Sequence, residues 1–439
     1  MNSHIFDDVN VLQLSIHGEL VGYLTGSKNG RNVLSFAETF KNNPERPTFS
    51  LITHPNFPNA KKLMAGPWAR NQRLHPVLSN LLPEGTLREL IAQGLKVHVD
   101  NEFHILSYLG SDLPGAIEVK PMEPEDVPDY VLNTHGKARA VKFDSDVLST
   151  SDRDSKFSLA GVQMKFSMRE KDGRYNLFKG DELGDWIIKT PSTQHKFVPL
   201  NEYTAMSLAA MVGINIPEIK LVELNKLDNL PKINLPNEKH AFAIKRFDRT
   251  VNNAFSVEQI KTLRVHMEDF AQVLVKYPHE KYNSANYEVL GKVIYGFSGD
   301  GLADAQQLAR RLLVNILLAN GDAHLKNWSF LYPDKFSPRL SPAYDIVTTK
   351  VYIENESQYA LNLGKTKDWY VVSMMHFKWW AEKSGIPWRA IKPHLDDTLL
   401  KARDLWPQAL KSLPMDDTHK NVLKAHWHGL HNDFKIDAN

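Results

Sequence analysis

The run from Ala303 to Ala319 constrains this 439-residue chain more than any other segment. Leu308, Leu312 and Ile316 recur every four residues, with Leu313 and Leu317 beside them. That spacing predicts a helix with a wide apolar face, which must be buried against a core. Asn320-Gly321 predicts an abrupt stop. The next six residues, Asp322-Ala323-His324-Leu325-Lys326-Asn327, are not core material, since four of them are polar or charged. Packing alone does not explain why a core helix should deliver such a cluster into a tight loop.

Chemistry offers a reason. Asp322 can orient a hydroxyl nucleophile or take its proton, and Asn327 offers a carbonyl oxygen of the kind Mg²⁺ prefers. Asp345, in Ser341-Pro342-Ala343-Tyr344-Asp345-Ile346, sits among apolar neighbours. A carboxylate in such surroundings needs a partner, and a cation is one. With Asn327 it would form a two-oxygen Mg²⁺ site. Lys189 ends the apolar strand Trp186-Ile187-Ile188-Lys189 and is suited to neutralising phosphates. Upstream, Ser158-Leu159-Ala160-Gly161 predicts a small turn whose N–H groups can cap phosphates. It is not a Walker motif. Each residue also has a plainer role: Asp322 as a turn residue, Lys189 as a snorkelling lysine, Ser158 as a turn or cap. Glu202 reads first as an acid in the first turn of a helix starting near Asn201, favoured there by the helix dipole. The order lysine, Asp-x-His-x-x-Asn, aspartate is what favours the catalytic reading.

Composition sets bounds. Apolar residues make up 42% and charged residues 24%, enough to bury a sizeable core. The net charge of +2 gives no global case for nucleic-acid binding. The absence of cysteine excludes disulfides and thiolate chemistry. No apolar run approaches the roughly 20 residues of a membrane span, and the opening residues do not read as a signal peptide. A cytoplasmic protein is expected.

Along the chain, Val11–Leu24 predicts two strands around His17-Gly18, and residues 70–97 a helix broken at Pro83. Residues 117–130 carry three prolines and five acids, which suggests a domain junction near residue 120. Residues 161–178 predict a hairpin turning at Asp172-Gly173. Residues 186–189 and 240–247 predict further strands. After about residue 257 helical spacing dominates.

The order of the chemical motifs resembles the protein-kinase-like superfamily, and the whole chain from about residue 12 to 435 resembles the HipA toxin family. The blocks that carry this are NLLPEG (80–85), LGSDLPGAIEV (109–119), Ser158 to Lys165, IIKTP, NEY, KRFDR, GDAHLKN and PAYDI. The resemblance implies an α+β chain with a protein-kinase-like two-lobed fold. Its parts would be a HipA N-terminal domain (11–120), a strand-rich N-lobe (121–256) and an all-helical C-lobe (257–439). It also implies roles. Asp322 would be catalytic, and Asn327 and Asp345 would hold Mg²⁺. ATP would meet Leu159, Ala160, Gly161, Lys189, Lys326, His324 and Tyr344, with Lys245, Arg246 and Phe247 as hinge. Ser158 would be autophosphorylated, the added negative charge opposing ATP and giving an inactive form. Glu202 would be the acid that pairs with the lysine. Lys245 and Met164 stand where the family pattern carries acids, which bears on target choice.

The expected function is that of a serine/threonine kinase toxin. It would act on a translation-related protein such as an aminoacyl-tRNA synthetase. A HipB-type helix-turn-helix antitoxin would be its partner, with operator DNA contacted mainly through that antitoxin. A small-molecule phosphotransferase is the first alternative, since such enzymes share the Asp-x-His-x-x-Asn loop. A non-catalytic partner of a repressor is the second.

Overall fold

The computed structural model describes residues 9–110, 112–135, 137–139, 163–177, 183–231, 234–251 and 262–437. The chain opens with a sheet of β1 (Val9–Ile16), β2 (Glu19–Ser27), β3 (Arg31–Phe36), β4 (Trp68–Asn71), β5 (Ile117–Pro121) and β6 (Ala138–Arg139). The order is β4-β3-β2-β1-β5, with β6 pairing parallel to β1. His17 and Gly18, both at positive φ, make the tight β1–β2 turn. The helix expected over 70–97 is broken around Pro83 as expected, into Pro76–Ser79 and Gly85–Gly94, but its opening residues are instead the end of β4. Its first residues are claimed by pairing with β3, a partner distant in sequence. Pro76 then opens the short helix, where a missing N–H costs nothing.

A second sheet comprises β7 (Lys165–Lys171), β8 (Arg174–Asn176), β9 (Trp186–Lys189), β10 (Ile219–Glu223), β11 (Leu227–Asp228) and β12 (His240–Lys245). The expected hairpin is present, with Asp172 and Gly173 both at positive φ. β9 lies between β7 and β12. A helix at Val198–Met211 packs on this sheet and starts earlier than expected. Glu202 therefore lies in its second turn, not its first, and is fully buried.

The helix expected from Ala303 spans Gly301–Leu317, with Asp300 capping the Ala303 N–H. Leu308, Leu312, Leu313, Ile316 and Leu317 are buried. Ala319, at φ 51, turns the chain out of it. Helices Met374–Ser384, Trp388–Ser412 and Asp417–Gly429 complete the layer. Two fully buried tryptophans fasten it: Trp427 donates to the Leu317 carbonyl at 2.7 Å and Trp406 to that of Leu208 at 2.9 Å. The region expected to be all-helical also holds short strands. His266–Asp269, Ser329–Tyr332 and Arg339–Leu340 form one sheet, and Gln358–Leu363 pairs with Thr366–Asp368. They frame the loop after the long helix, and their pairings are invisible to local periodicity.

The first sheet and its helices meet the rest along a polar seam. Asp248 accepts from Arg246, Arg249 and the Gly115 N–H, and Arg246 also reaches Asp112 at 2.8 Å. Glu268 accepts from the Ser50 hydroxyl, the Leu51 N–H and the Tyr332 hydroxyl. Each of these buried charges is thus paired or hydrogen-bonded, as burial requires. No helix among the described residues is long and apolar enough to cross a membrane.

Candidate active site

The register of β7 against β9 sets Lys165 directly opposite Lys189. Like charges in that position repel. Asp345 resolves the conflict: its Oδ1 takes the Lys189 ammonium and its Oδ2 that of Lys165, the latter at 2.9 Å. Lys189 also donates to Glu202. Strand, helix and the Ser341–Ile346 segment thus converge on one ammonium, and Lys189 is only 3% exposed. Burial disfavours its charge, but Asp345 and then Glu202 outweigh burial, so Lys189 is held firmly protonated. Burial likewise works against the Asp345 carboxylate. Lys165 and Lys189 overcome it and hold the group well below the usual carboxylate range. Burial pushes the Glu202 carboxyl up despite Lys189, and its Oε2 has no hydrogen-bond partner among the described residues. Asp345 adopts φ 55, an uncommon conformation outside glycine. The Asn320 amide, from the loop after the long helix, donates to its carbonyl.

Asp322 is exposed on that same loop and accepts from the Tyr282 hydroxyl at 2.7 Å. Asn327 donates its side-chain N–H to the Asp322 carbonyl at 2.7 Å. That fixes which end of its amide is the donor and leaves the oxygen as the end suited to a cation. Asn327 and Asp345 line one small cavity together with Asn320 and Tyr344. One carboxylate and one amide oxygen, with the other positions left to phosphates and water, suit Mg²⁺. Among the described residues no cluster of three or more His, Cys, Asp or Glu side chains offers an all-protein metal cage. The donors present therefore fit Mg²⁺ carried with phosphates better than a resident structural ion.

Tyr344 packs its ring on Phe247 at 5.5 Å and donates to the Lys326 carbonyl at 2.8 Å. His324 is buried and edge-on to Tyr282, and burial lowers its pKa to about 4, so it is neutral. Its Nδ1 has no hydrogen-bond partner among the described residues.

Other expected site residues are placed differently. The Lys326 ammonium does not stand free for nucleotide: it is taken by Glu84 and the Asn80 carbonyl, both at 3.0 Å. The Arg246 guanidinium belongs to the seam, and the Lys245 and Arg246 N–H groups donate to the Glu218 and Asp185 carbonyls within the sheet. Lys245 lies over Trp186. Of the expected hinge, Phe247 is the residue that meets the site. Ser158, Leu159, Ala160 and Gly161 lie outside the described residues. Lys165 and Tyr282 were not singled out from sequence. Strand alternation places Lys165 on the Lys189 face once the register is known; Tyr282 gave no local signal.

Comparison with known proteins agrees with this architecture. Residues 12–120 match the family model of the HipA N-terminal domain, and 157–406 that of the HipA-like C-terminal domain. A Sinorhizobium fredii protein, named provisionally as a kinase, is 37% identical over 423 residues, covering 95% of this chain and 96% of its own. The serine/threonine-protein kinase toxin HipA of Shewanella oneidensis is 24% identical over 374 residues, 80% of each chain. A solved complex of HipA, HipB and operator DNA from Shewanella oneidensis MR-1 superposes with a TM-score of 0.68 at 20% identity. That match covers 95% of this chain and 97% of the other, and likens the two folds.

Proposed function

The chain belongs to the HipA family, and we propose that it is an ATP- and Mg²⁺-dependent serine/threonine protein kinase acting as the toxin of a toxin–antitoxin pair. The observation that carries this reading is the convergence of Lys189, Glu202 and Asp345 beside the Asp322–Asn327 loop. Phosphoryl transfer needs little covalent help from protein; it needs positioning and charge neutralisation. Lys189 and Lys165 would draw the phosphates toward the Asp345 end of the cleft. Phe247 and Tyr344 offer flat faces for a base. Asp322, exposed and already accepting from one hydroxyl, would accept from a substrate serine and orient its oxygen for attack. Asn327 and Asp345 would hold Mg²⁺, which when bound neutralises phosphate charge.

The finer parts of the proposal follow the family. The target would be a translation-related protein such as an aminoacyl-tRNA synthetase. Phosphorylation of Ser158 would silence the enzyme. A HipB-type antitoxin would carry the chain to operator DNA, since HipA, HipB and operator DNA stand together in the Shewanella complex. The test is intact-mass and peptide mass spectrometry after incubation with Mg-ATP, on wild type and Asp322→Ala. Phosphate on Ser158 in wild type alone is expected. Asp322 has an exposed side chain, so its loss should lower transfer at least about 100-fold while costing little stability. Turnover of a small hydroxylated compound with no protein phosphorylation would refute the protein-kinase reading.

A further inference from the structure

Glu84 belongs to the first domain, yet both of its carboxylate oxygens are spent on the catalytic region. Oε2 takes the Lys281 ammonium at 2.7 Å, and Oε1 takes that of Lys326 at 3.0 Å. Lys326 sits inside the loop between Asp322 and Asn327, and Lys281 immediately precedes Tyr282. The two lysine segments are also joined directly, since the Leu325 N–H donates to the Lys281 carbonyl at 3.2 Å. Tyr282 in turn donates to Asp322. Asn80 adds to the hold: its carbonyl takes Lys326, and its amide donates to the Lys276 carbonyl at 2.7 Å. Asp322 is therefore approached from both sides by backbone tied to one carboxylate.

We propose that Glu84 is a positioning residue for phosphoryl transfer: through Lys326 and Lys281 it fixes the Asp322–Asn327 loop and the Tyr282 hydroxyl, making the N-terminal domain part of the active-site support. This deepens the kinase reading and rests on it. The physical ground is charge and connectivity. Two cations within 3.0 Å of one carboxylate, on segments that flank the reacting group, give that group a defined place. The lysines also need Glu84: without it, the ion pairs of these two lysines among the described residues reduce to Lys326 with Asp269 at 3.6 Å. Their repulsion would part the two segments. Burial opposes the Glu84 charge, yet Lys326 and Lys281 hold its pKa down to about 2, so the clamp stays charged across the working range.

The experiment compares full-length wild type, Glu84→Gln, Glu84→Asp and Lys281→Met, with Arg73→Ala as control. Arg73 bonds His279 and Asp100 in the same seam but touches no catalytic-loop residue. Three readouts are taken: steady-state phosphate transfer from Mg-ATP, melting temperature, and hydrogen exchange of amides 322–327. The expected result for Glu84→Gln is a kcat about 10- to 100-fold lower, KM for ATP within about threefold, and faster exchange in the loop. Glu84→Asp should restore part of kcat, Lys281→Met should repeat the defect, and Arg73→Ala should lower only the melting temperature. Active wild type with unchanged kcat and exchange in Glu84→Gln overturns this inference alone, as does an equal kcat loss in Arg73→Ala. Wild type that transfers no phosphate overturns the kinase reading and the catalytic claim with it. The exchange comparison then still decides whether Glu84 holds the loop.

Discussion

Replacing Lys189 by methionine keeps the volume of the side chain and removes its charge, leaving two carboxylates to find other partners. Asp345 retains Lys165 at 2.9 Å. Among the described residues Glu202 retains no hydrogen-bond partner: its Oε1 is bonded there only to Lys189, its Oε2 to nothing, and the residue is fully buried. Removing one member of a buried ion pair costs about 3–5 kcal/mol, because the survivor is left uncompensated. Lys189→Met should fall in that range, and Glu202→Gln alone nearer about 1–3 kcal/mol, the cost of an imperfectly satisfied buried polar group. The double variant should be less damaged than the sum by about 1–3 kcal/mol, since the orphaned charge is then absent. The pH dependence has a definite sign. Burial already pushes the Glu202 carboxyl up, and without Lys189 only the weaker pull of Lys165 opposes burial and the nearby Asp345 charge. A carboxyl raised in the folded state contributes stability below its unfolded pKa and loses it as pH rises through the folded value. The deficit of Lys189→Met relative to wild type should therefore be larger at about pH 8 than at about pH 5. Urea unfolding followed by tryptophan fluorescence measures all four proteins. A cost below about 1 kcal/mol, strict additivity, or a deficit independent of pH would refute the reasoning.

Two further outcomes follow from the seam. Burial pushes the Glu268 carboxyl up to about 7 from 4.5, so its ionisation weighs against folding by about 3 kcal/mol at high pH. Wild type should lose stability relative to Glu268→Gln as the pH rises from about 5 to about 8; parallel denaturation curves would exclude this. Asp248 is buried between Arg246 and Arg249, which hold its carboxyl well below the usual range in spite of burial. Asp248→Asn should cost about 3–5 kcal/mol, read as a fall in the urea midpoint, and a loss below about 1 kcal/mol would contradict the pairing described.

The sequence displays the site unevenly, for physical reasons. Asp322, Asn327 and Asp345 are legible because their chemistry is out of keeping with the apolar segments that carry them. Lys189 is legible as the charged end of an apolar strand. Glu202 is visible too, but its place in the helix is not: that helix begins at Val198, behind a left-handed Phe197. The pairing of Lys326 with Glu84 is hidden because the two lie far apart in sequence. Lys165 needs the strand register, and Tyr282 needs a bond across 40 residues. The same limit explains the fold. Turns such as His17-Gly18 and Asp172-Gly173 announce themselves through local conformation, and the long helix through its period. In the helical half, His266–Asp269 is defined by a partner some 60 residues away, Ser329–Tyr332, which local pattern cannot show.

The seam has a consequence for how the chain can be divided. Asp248 leans on Gly115, Arg246 on Asp112, and Glu268 on Ser50 and Leu51. Every one of these bonds joins the first hundred or so residues to the kinase-like body, and the Asp248 and Glu268 carboxylates are buried. Cutting between the parts would strip these carboxylates of donors that only the first part supplies and would open a buried seam to water. The kinase-like body freed of its N-terminal part would therefore be a damaged protein, not a minimal one. The boundary that is natural to draw in sequence is, in free energy, the middle of a single structure.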